Sequence, residues 1–306
     1  MVQQTVSEIA RETFLIQLQA IQAQLPGCIE GKDPIHLHDL RVANRRTRAA
    51  LIEFKGLFPG EVFNTYQDNF RWIHQVTGEV RDLDVTLQQF PIYQKQLIKG
   101  TRSTIKPLKT LLEDKREKAQ LQLVKDLELD HLGGILSSWA DLLQGDRLDK
   151  TSLSLESARE YGSRRIVKRY LQVKKKGGRL NKKTPAEAFH TYRISIKKLR
   201  YLMEFFRPVL GNDQFSSLRT GLKTVQDAFG AFQDAEVQEN NIRSLAGELY
   251  QQGAPIDTLL TLGHLVGYLE KKGRKNKKTC LRQVRWITED ATGRAFQTCF
   301  QYPVGQ

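Results

Sequence analysis

Two segments of the sequence repeat the same arrangement of basic side chains. In the first segment, residues spaced three, four and three apart are His38, Arg41, Arg45 and Arg48. A helix turns about 100° per residue, so these side chains would share one face, within an arc of about 80°. The second segment has the same spacing, with His190, Arg193, Lys197 and Arg200. Such faces suit phosphate oxygens, because Arg donates to two oxygens at once and Lys acts as a point charge.

The clustering of like charges favours a ligand over a structural role. A structural stripe would alternate Glu with Lys or Arg, because such pairs add a few tenths of a kcal/mol whereas like charges subtract about as much. Asp39 and Glu53 are predicted to lie on the opposite side of the first helix. We therefore expect an external anion to neutralise the basic stripes. A solvated or internally paired face is the alternative.

An apolar stripe runs beside each basic stripe and predicts how the two helices must be positioned. Its residues are Leu37, Leu40, Leu51 and Phe54 in the first segment, and Phe189, Tyr192, Ile196, Leu199, Met203 and Phe206 in the second. The spacing is typical of helices packed in a bundle. Burying the apolar stripes would fix the direction in which the basic stripes point.

The two segments belong to a longer internal repeat. His38 and His190 are 152 residues apart, and the same offset pairs Phe54 with Phe206, Gly78 with Gly230, and Asp82 with Asp234. Helical periodicity dominates and convincing strand patterns are absent, which predicts an all-α fold. Because 152 is nearly half of the 306 residues, we expect two four-helix bundles, residues 1–152 and 153–306, related by pseudo-two-fold symmetry.

Proline, glycine and capping residues predict about eight helices. Breaks are expected at Pro26-Gly27 through Pro34 and at Gly133-Gly134, among others. Asp33 before Pro34 predicts a helix start. Thr184, with Pro185 next and Glu187 three residues on, has the form of a capping box.

The charge balance predicts an anionic partner. The chain carries 48 Lys and Arg against 34 Asp and Glu, a net charge of +14. Residues 1–152 hold 20 basic and 20 acidic side chains, so the whole excess lies in residues 153–306. Three cysteines without metal-like spacing and the lack of a long apolar run predict a cytoplasmic protein with no membrane span, disulfide framework or zinc site.

The repeated motif resembles that of a known family. Two copies of His-x-x-Arg-x-x-x-(Arg/Lys)-(Arg/Lys)-x-Arg, with GEVRDLDV from Gly78 and GAFQDAEV from Gly230, are similar to the CHAD domain, a helical domain named for its conserved histidines. The resemblance covers nearly the whole chain, so residues 1–306 would form a single CHAD domain made of two repeats. One departure is Gln233 where the first copy has Arg81.

The resemblance implies a basic central groove between two bundles that binds inorganic polyphosphate, without cofactor or metal. The groove residues that it implies are His38, Arg41, Arg45, Arg46 and Arg48 on one side and His190, Arg193, Lys197, Lys198 and Arg200 on the other. The helix from Ser157 to Lys176 adds second-tier phosphate contacts at Arg164, Arg165, Lys168 and Arg169. The resemblance also implies an association with polyphosphate granules.

Three classes of function stay open from the residues alone. The first is non-catalytic polyphosphate binding, which His38 and His190 predict to be tighter at mildly acid pH. The second is binding of RNA or single-stranded DNA, which the scarcity of aromatics beside the run from Lys271 to Lys278 disfavours. The third is an accessory part in polyphosphate or nucleotide metabolism. Asp82 and Asp84 lie two residues apart without a nucleophile or glycine-rich loop, so no catalytic residue is predicted.

Overall fold

The structure is all-α in the part of the chain that it describes, which confirms the predicted class. It is a computed structural model and describes residues 4–128, 130–145, 148 and 151–300. The α-helices of these residues are α1 (Val6–Glu30), α2 (Pro34–Glu53), α3 (Gly60–Val76), α4 (Gly78–Gln96), α5 (Lys106–Glu128), α6 (Asp130–Gln144), α7 (Ala158–Gly177), α8 (Ala186–Phe205), α9 (Arg207–Leu210), α10 (Asp213–Gln251), α11 (Ile256–Thr288) and α12 (Asp290–Cys299). Short 3-10 helices occur at Lys55–Leu57 and Lys99–Thr101. None of the helices described here is long and apolar enough to cross a membrane.

The two basic helices begin with different caps. Asp33 caps α2 as predicted, since its carboxylate accepts from the Ile35 amide at 2.9 Å and Pro34 is the first helical residue. The capping box predicted at Thr184 is wrong. Its hydroxyl accepts from the amide of Asn181 at 2.9 Å, and α8 begins after Pro185 without a side-chain cap. Thr184 therefore closes the turn before α8.

The break predicted from Pro26-Gly27 through Pro34 begins later than expected, at Gly31, and the one predicted at Gly133-Gly134 is wrong. Pro26 and Gly27 lie inside α1, which ends at Gly31 in the left-handed conformation (φ 68°). Gly27 allows α1 and α2 to pack closely, because a Cβ at this position would be 2.2 Å from Cγ of His36 on α2. Gly133 and Gly134 lie inside α6. Each glycine weakens a helix by about 1 kcal/mol relative to Ala, which is too little to break one that tertiary packing supports.

The segment that follows the basic helix is divided into two helices in the first repeat and is one helix in the second. α3 and α4 meet at Thr77, whose hydroxyl donates to the carbonyl oxygen of Ile73 at 2.7 Å. The residue 152 positions later is Phe229, which is buried inside the uninterrupted 39-residue α10. This extra boundary, the short α9 and the separate α12 account for three of the four α-helices that the described residues have beyond the eight predicted.

Burial of the apolar stripes orients α2 and α8. Both helices have 20 residues, and their first residues, Pro34 and Ala186, are 152 positions apart. Every residue of the predicted apolar stripes is buried, none more than 3% exposed. These side chains belong to one hydrophobic core that runs through both parts of the chain. The polar faces of the two helices are thereby held in fixed directions.

Candidate functional site

Helices α2 and α8 contact each other and enclose a cavity of about 320 Å³, called here the α2–α8 cavity. Arg45 Nε donates to the hydroxyl of Tyr201 across the contact at 2.9 Å. Arg46 Nη2 lies 3.6 Å from a carboxylate oxygen of Glu204. The basic side chains that line the cavity are Arg45, Arg48, Arg169, Arg193, Lys197 and Lys198.

The cavity combines predicted residues from both repeats. Arg45 and Arg48 come from α2, whereas Arg193, Lys197 and Lys198 come from α8. In the described part of the chain, no carboxylate is within ion-pair distance of Arg45, Arg48, Arg193 or Lys197. Their positive charges are therefore available to a ligand.

Burial makes this group of cations costly to hold together. Burial, together with the charges of Arg193, Arg45 and Arg200, lowers the pKa of Lys197 from its ordinary 10.5 to about 8. Burial also lowers the pKa of Arg48 and of Arg193. An anion in the cavity would offset the cost of burying these positive charges close together.

Two of the predicted basic residues share a carboxylate outside the cavity lining. Arg200 Nη1 lies 3.0 Å from Glu204 Oε1, one turn along α8, and Arg46 approaches the other oxygen of Glu204. Glu204 thus links α2 and α8 through Arg46, whereas its pair with Arg200 lies within α8. Arg200 still has one unused donor, because its buried Nε has no hydrogen-bond partner in the described structure.

Arg41 is held by backbone and hydroxyl groups. Its Nη1 donates to the carbonyl oxygen of His74 and to the hydroxyl of Thr77, both at 2.7 Å. The arginine 152 residues later, Arg193, has a buried Nε without a partner among the described residues. Arg193 is consequently the freer of the two for a ligand.

A glycine and an aspartate accompany each of these arginines. A Cβ added to Gly78 would lie 3.9 Å from Arg41 Nη1, and one added to Gly230 would lie 4.0 Å from Arg193 Nε. The charge of Asp82 acts on Arg41, and that of Asp234 acts on Arg193. Burial raises the pKa of both carboxyl groups, and the nearby cations oppose that rise. The repeated G-x-x-x-D spacing therefore places equivalent groups beside Arg41 and Arg193.

The two predicted histidines lie in different surroundings. Burial lowers the pKa of His38, and the charge of Arg81 lowers it further. His190 is exposed, and its Nδ1 makes a 2.8 Å hydrogen bond with Oε1 of Gln233. Gln233 replaces Arg81 in the repeat, so the departure from the motif gives His190 a neutral partner where His38 has a cationic neighbour.

The prediction for Glu53 is wrong. Instead of lying opposite the basic stripe, Glu53 is 6% exposed and lines the α2–α8 cavity. Its carboxylate oxygens are 2.6 Å from Arg165 Nε and 3.1 Å from Arg169 Nη2 on α7. At about 100° per residue Glu53 lies within about 60° of His38, which is beside the basic stripe and not opposite it. Its ion pairs depend on how α7 packs against α2.

The second-tier residues on α7 divide between two places. Arg165 and Arg169 pair with Glu53, and Arg169 lines the α2–α8 cavity. Arg164 pairs with Glu156. Arg164 and Lys168 line a different, wider cleft of about 990 Å³ beside Phe300. The structure therefore does not bring Arg164 and Lys168 together with the predicted groove residues.

Sequence reasoning missed two residues near the basic helices. Tyr201 was not singled out, although its hydroxyl joins α8 to Arg45. Arg81 was noted only as part of a motif, yet its charge acts on His38. A third residue nearby, His74, has a buried Nδ1 without a partner in the described part. Burial and the charges of Arg41, Arg48 and Arg45 lower the pKa of His74 to about 4.

The described residues contain no cluster of three or more His, Cys, Asp or Glu side chains that could hold a metal ion. The site is instead a cationic cavity between two helices of an all-α protein. It has the donors for an extended anion, and its one lining carboxylate, Glu53, already has two arginine partners.

Comparison with known protein families identifies the family to which this all-α chain belongs. The chain belongs to the CHAD domain family, whose characteristic sequence matches residues 12–243. The matched range contains α2, α8 and the arginine, lysine and histidine side chains described above.

Two solved structures share the fold. The crystal structure of the CHAD domain from the plant Ricinus communis superposes with a TM-score of 0.77 at 20% sequence identity and covers 92% of each chain. PptA from Streptomyces chartreusis superposes with a TM-score of 0.67 at 12% identity, covering 91% of this chain and 98% of that one. At these identities the likeness concerns the fold alone. The comparison with curated proteins gave no match.

Proposed function

We propose that the protein binds inorganic polyphosphate in the α2–α8 cavity and does not catalyse a reaction on it. The observation that carries the proposal is the convergence of Arg45 and Arg48 with Arg193 and Lys197 on one cavity, where no described carboxylate pairs with them. Membership of the CHAD family supports the same ligand, because the family is associated with polyphosphate.

The chemistry of the ligand matches that of the cavity. Polyphosphate is a flexible chain with about one negative charge per unit and no bases, so charge-assisted hydrogen bonds from Arg and Lys supply its affinity. The unpartnered Nε atoms of Arg193 and Arg200 are donors of this kind. A long chain extending beyond the cavity would also reach His38, Arg41, Arg46 and His190 on the same two helices.

We further propose that residues 1–152 and 153–306 form two helical bundles related by a pseudo-two-fold axis, with the cavity between them. The support is the constant offset of 152 residues, the equal lengths of α2 and α8, and the matching surroundings of Arg41 and Arg193. In this arrangement neither half holds the ligand alone.

The proposed absence of catalysis rests on the lining of the cavity. A hydrolytic reaction would need a base or nucleophile beside the phosphate chain. Glu53, the cavity's lining carboxylate, is occupied by Arg165 and Arg169. The proposal predicts that the protein leaves polyphosphate intact and, in cells, colocalises with cytoplasmic polyphosphate granules.

Binding titrations with a cavity variant and a matched control variant test the function. The double variant Arg48→Gln/Lys197→Gln should weaken polyphosphate binding by at least about tenfold at low salt and reduce the slope of log affinity against log salt by about 1 for each lost contact. The matched control Lys118→Gln/Lys223→Gln removes the same charge from exposed positions on α5 and α10 and should bind like the wild type.

Three results would contradict the proposal. The first is equal affinity in the cavity variant and the wild type. The second is a preference for RNA over polyphosphate of the same total charge. The third is release of orthophosphate in the presence of magnesium, which would show that the protein is an enzyme.

A further inference from the structure

Helix α11 carries a second concentration of positive charge, away from the α2–α8 cavity. Six exposed side chains form it, and they are called here the α11 ridge: Lys271, Arg274, Lys275, Lys278, Arg282 and Arg285. At about 100° per residue they fall within an arc of about 100° and extend over roughly 21 Å of helix. None of them lines the α2–α8 cavity.

The ridge points directly away from the protein core. The buried residues of the same part of α11, Leu269, Cys280, Val284 and Ile287, lie about half a turn from the centre of the ridge. The ridge is therefore the outermost line of the helix. A flat or large partner can reach all six side chains at once.

The charges of the ridge are largely uncompensated. In the part of the chain that the structure describes, Arg274 has an ion pair with Glu270 at 3.5 Å, and the other five ridge residues have none. Like charges three and four residues apart weaken a helix by a few tenths of a kcal/mol per pair. The ridge thus lowers the stability of α11 unless a partner neutralises it.

The outward face of α11 continues from the ridge into exposed apolar side chains. Leu260 and Ile256 lie on the same face as the ridge and are 67% and 72% exposed. Tyr250, at the end of α10 just before the turn at Gly253, is 71% exposed. Two large apolar side chains exposed one helical turn apart, with Tyr250 at the end of the preceding helix, are unfavourable in water and typical of a contact surface.

We propose that the outward face of α11 binds the surface of an anionic lipid bilayer. The ridge would contact lipid phosphates, since a cluster of four to eight Lys or Arg gains about 1 kcal/mol per residue near such a surface. Ile256 and Leu260 would enter the boundary between headgroups and acyl chains. A duplex nucleic acid would leave these apolar residues unused, and the ridge has no aromatic side chain on which a base could stack.

Cosedimentation with vesicles tests the proposal. The wild type should bind vesicles of equal parts phosphatidylcholine and phosphatidylglycerol and should not bind pure phosphatidylcholine. Lys275→Glu/Lys278→Glu should lose at least about tenfold in affinity. Ile256→Ser/Leu260→Ser should lose about fivefold, because it removes only the apolar part of the contact.

The control Lys118→Glu/Lys223→Glu changes net charge by the same amount on other helices and should bind vesicles like the wild type. Polyphosphate affinity should also be unchanged in Lys275→Glu/Lys278→Glu, which separates this surface from the α2–α8 cavity. The proposal is overturned by failure to bind anionic vesicles, or by an equal loss in the control. It is also overturned if Ile256→Ser/Leu260→Ser binds normally while duplex DNA displaces the vesicles, since the ridge would then be a nucleic-acid surface.

Discussion

The basic residues of the α2–α8 cavity combine the proposed ligand contacts with a cost in stability. Lys197 illustrates this best, because it is placed among Arg45, Arg193 and Arg200 without a described ion-pair partner. Burial lowers its pKa to about 8, which means that its ammonium group is less favourable in the folded protein than in water. A bound polyanion would reverse this effect.

Polyphosphate affinity should therefore fall as the pH rises above about 8, by up to tenfold per pH unit, because Lys197 must take up a proton on binding. Below that pH Lys197 is already charged and contributes no pH dependence. Lys197→Arg should bind with constant affinity in this range. Titration from pH 7 to 9.5 checks the difference, and the prediction fails if the two proteins show the same profile.

The stability of the free protein should change in the opposite direction. The folded-state pKa of Lys197 is below its ordinary 10.5, so between about pH 8 and 10.5 the unfolded chain binds more protons than the folded one. Stability must then rise with pH in that window, relative to Lys197→Arg. Urea unfolding of both proteins at several pH values measures this.

The sequence predicted residue types and spacing well, but it did not predict contacts between distant segments. Arg45 and Arg193 were found from the repeat, because periodicity within one helix determines which side chains share a face. The hydrogen bond from Arg45 to Tyr201 and the ion pairs of Glu53 join separate helices. They depend on how those helices pack, which no spacing within one helix records.

At the scale of elements, α2, α7 and α8 determine what enters the cavity. Glu53 at the end of α2 holds Arg165 and Arg169 of α7 in ion pairs and keeps both from offering a free charge to a ligand. Tyr161 of α7 adds a hydrogen bond to the backbone carbonyl of Glu53 at 3.1 Å. This α2–α7 contact stabilises the fold at the expense of positive charge in the cavity.

Glu53→Gln should therefore lower stability and raise polyphosphate affinity. Removing one partner of a buried ion pair costs about 3 kcal/mol, whereas Arg165 and Arg169 become free to bind phosphate. Glu156→Gln is the matched control, because it releases Arg164 of α7 away from the cavity. Denaturant unfolding and calorimetric titration test the two effects. Weaker polyphosphate binding in Glu53→Gln would contradict the role given to these arginines.

The boundaries of elements were predictable where a local signal, such as a cap, decides them. Asp33 and Pro34 begin α2 as expected, because the signal lies within three residues of the helix start. Gly27 was misread as a helix breaker. Its lack of a side chain instead allows His36 of α2 to pack closely against α1. The break at Thr77 was missed because Thr77 also accepts a hydrogen bond from Arg41, a distant residue.

At the scale of the whole molecule, the repeat brings two helices far apart in sequence to one cavity. α2 and α8 bury their apolar stripes in a single continuous core, so their basic faces cannot move independently. The repeat predicted that matching helices exist, and the structure adds that they are in contact. Unfolding of either part should destroy the cavity.

Polyphosphate should consequently raise the melting temperature of the whole protein in one transition. At a ligand concentration of about 100 times Kd, the stabilisation is about 2.7 kcal/mol, which corresponds to roughly 4 °C for a chain of this size. Differential scanning calorimetry should show the entire peak moving, because a ligand held by α2 and α8 stabilises both halves together. Orthophosphate at the same phosphate concentration should have little effect, since it cannot contact cations on both helices at once. Arg48→Gln/Lys197→Gln should lose most of the shift. If only part of the transition moved, the ligand would be bound by one half, and a cavity shared between α2 and α8 would not be its site.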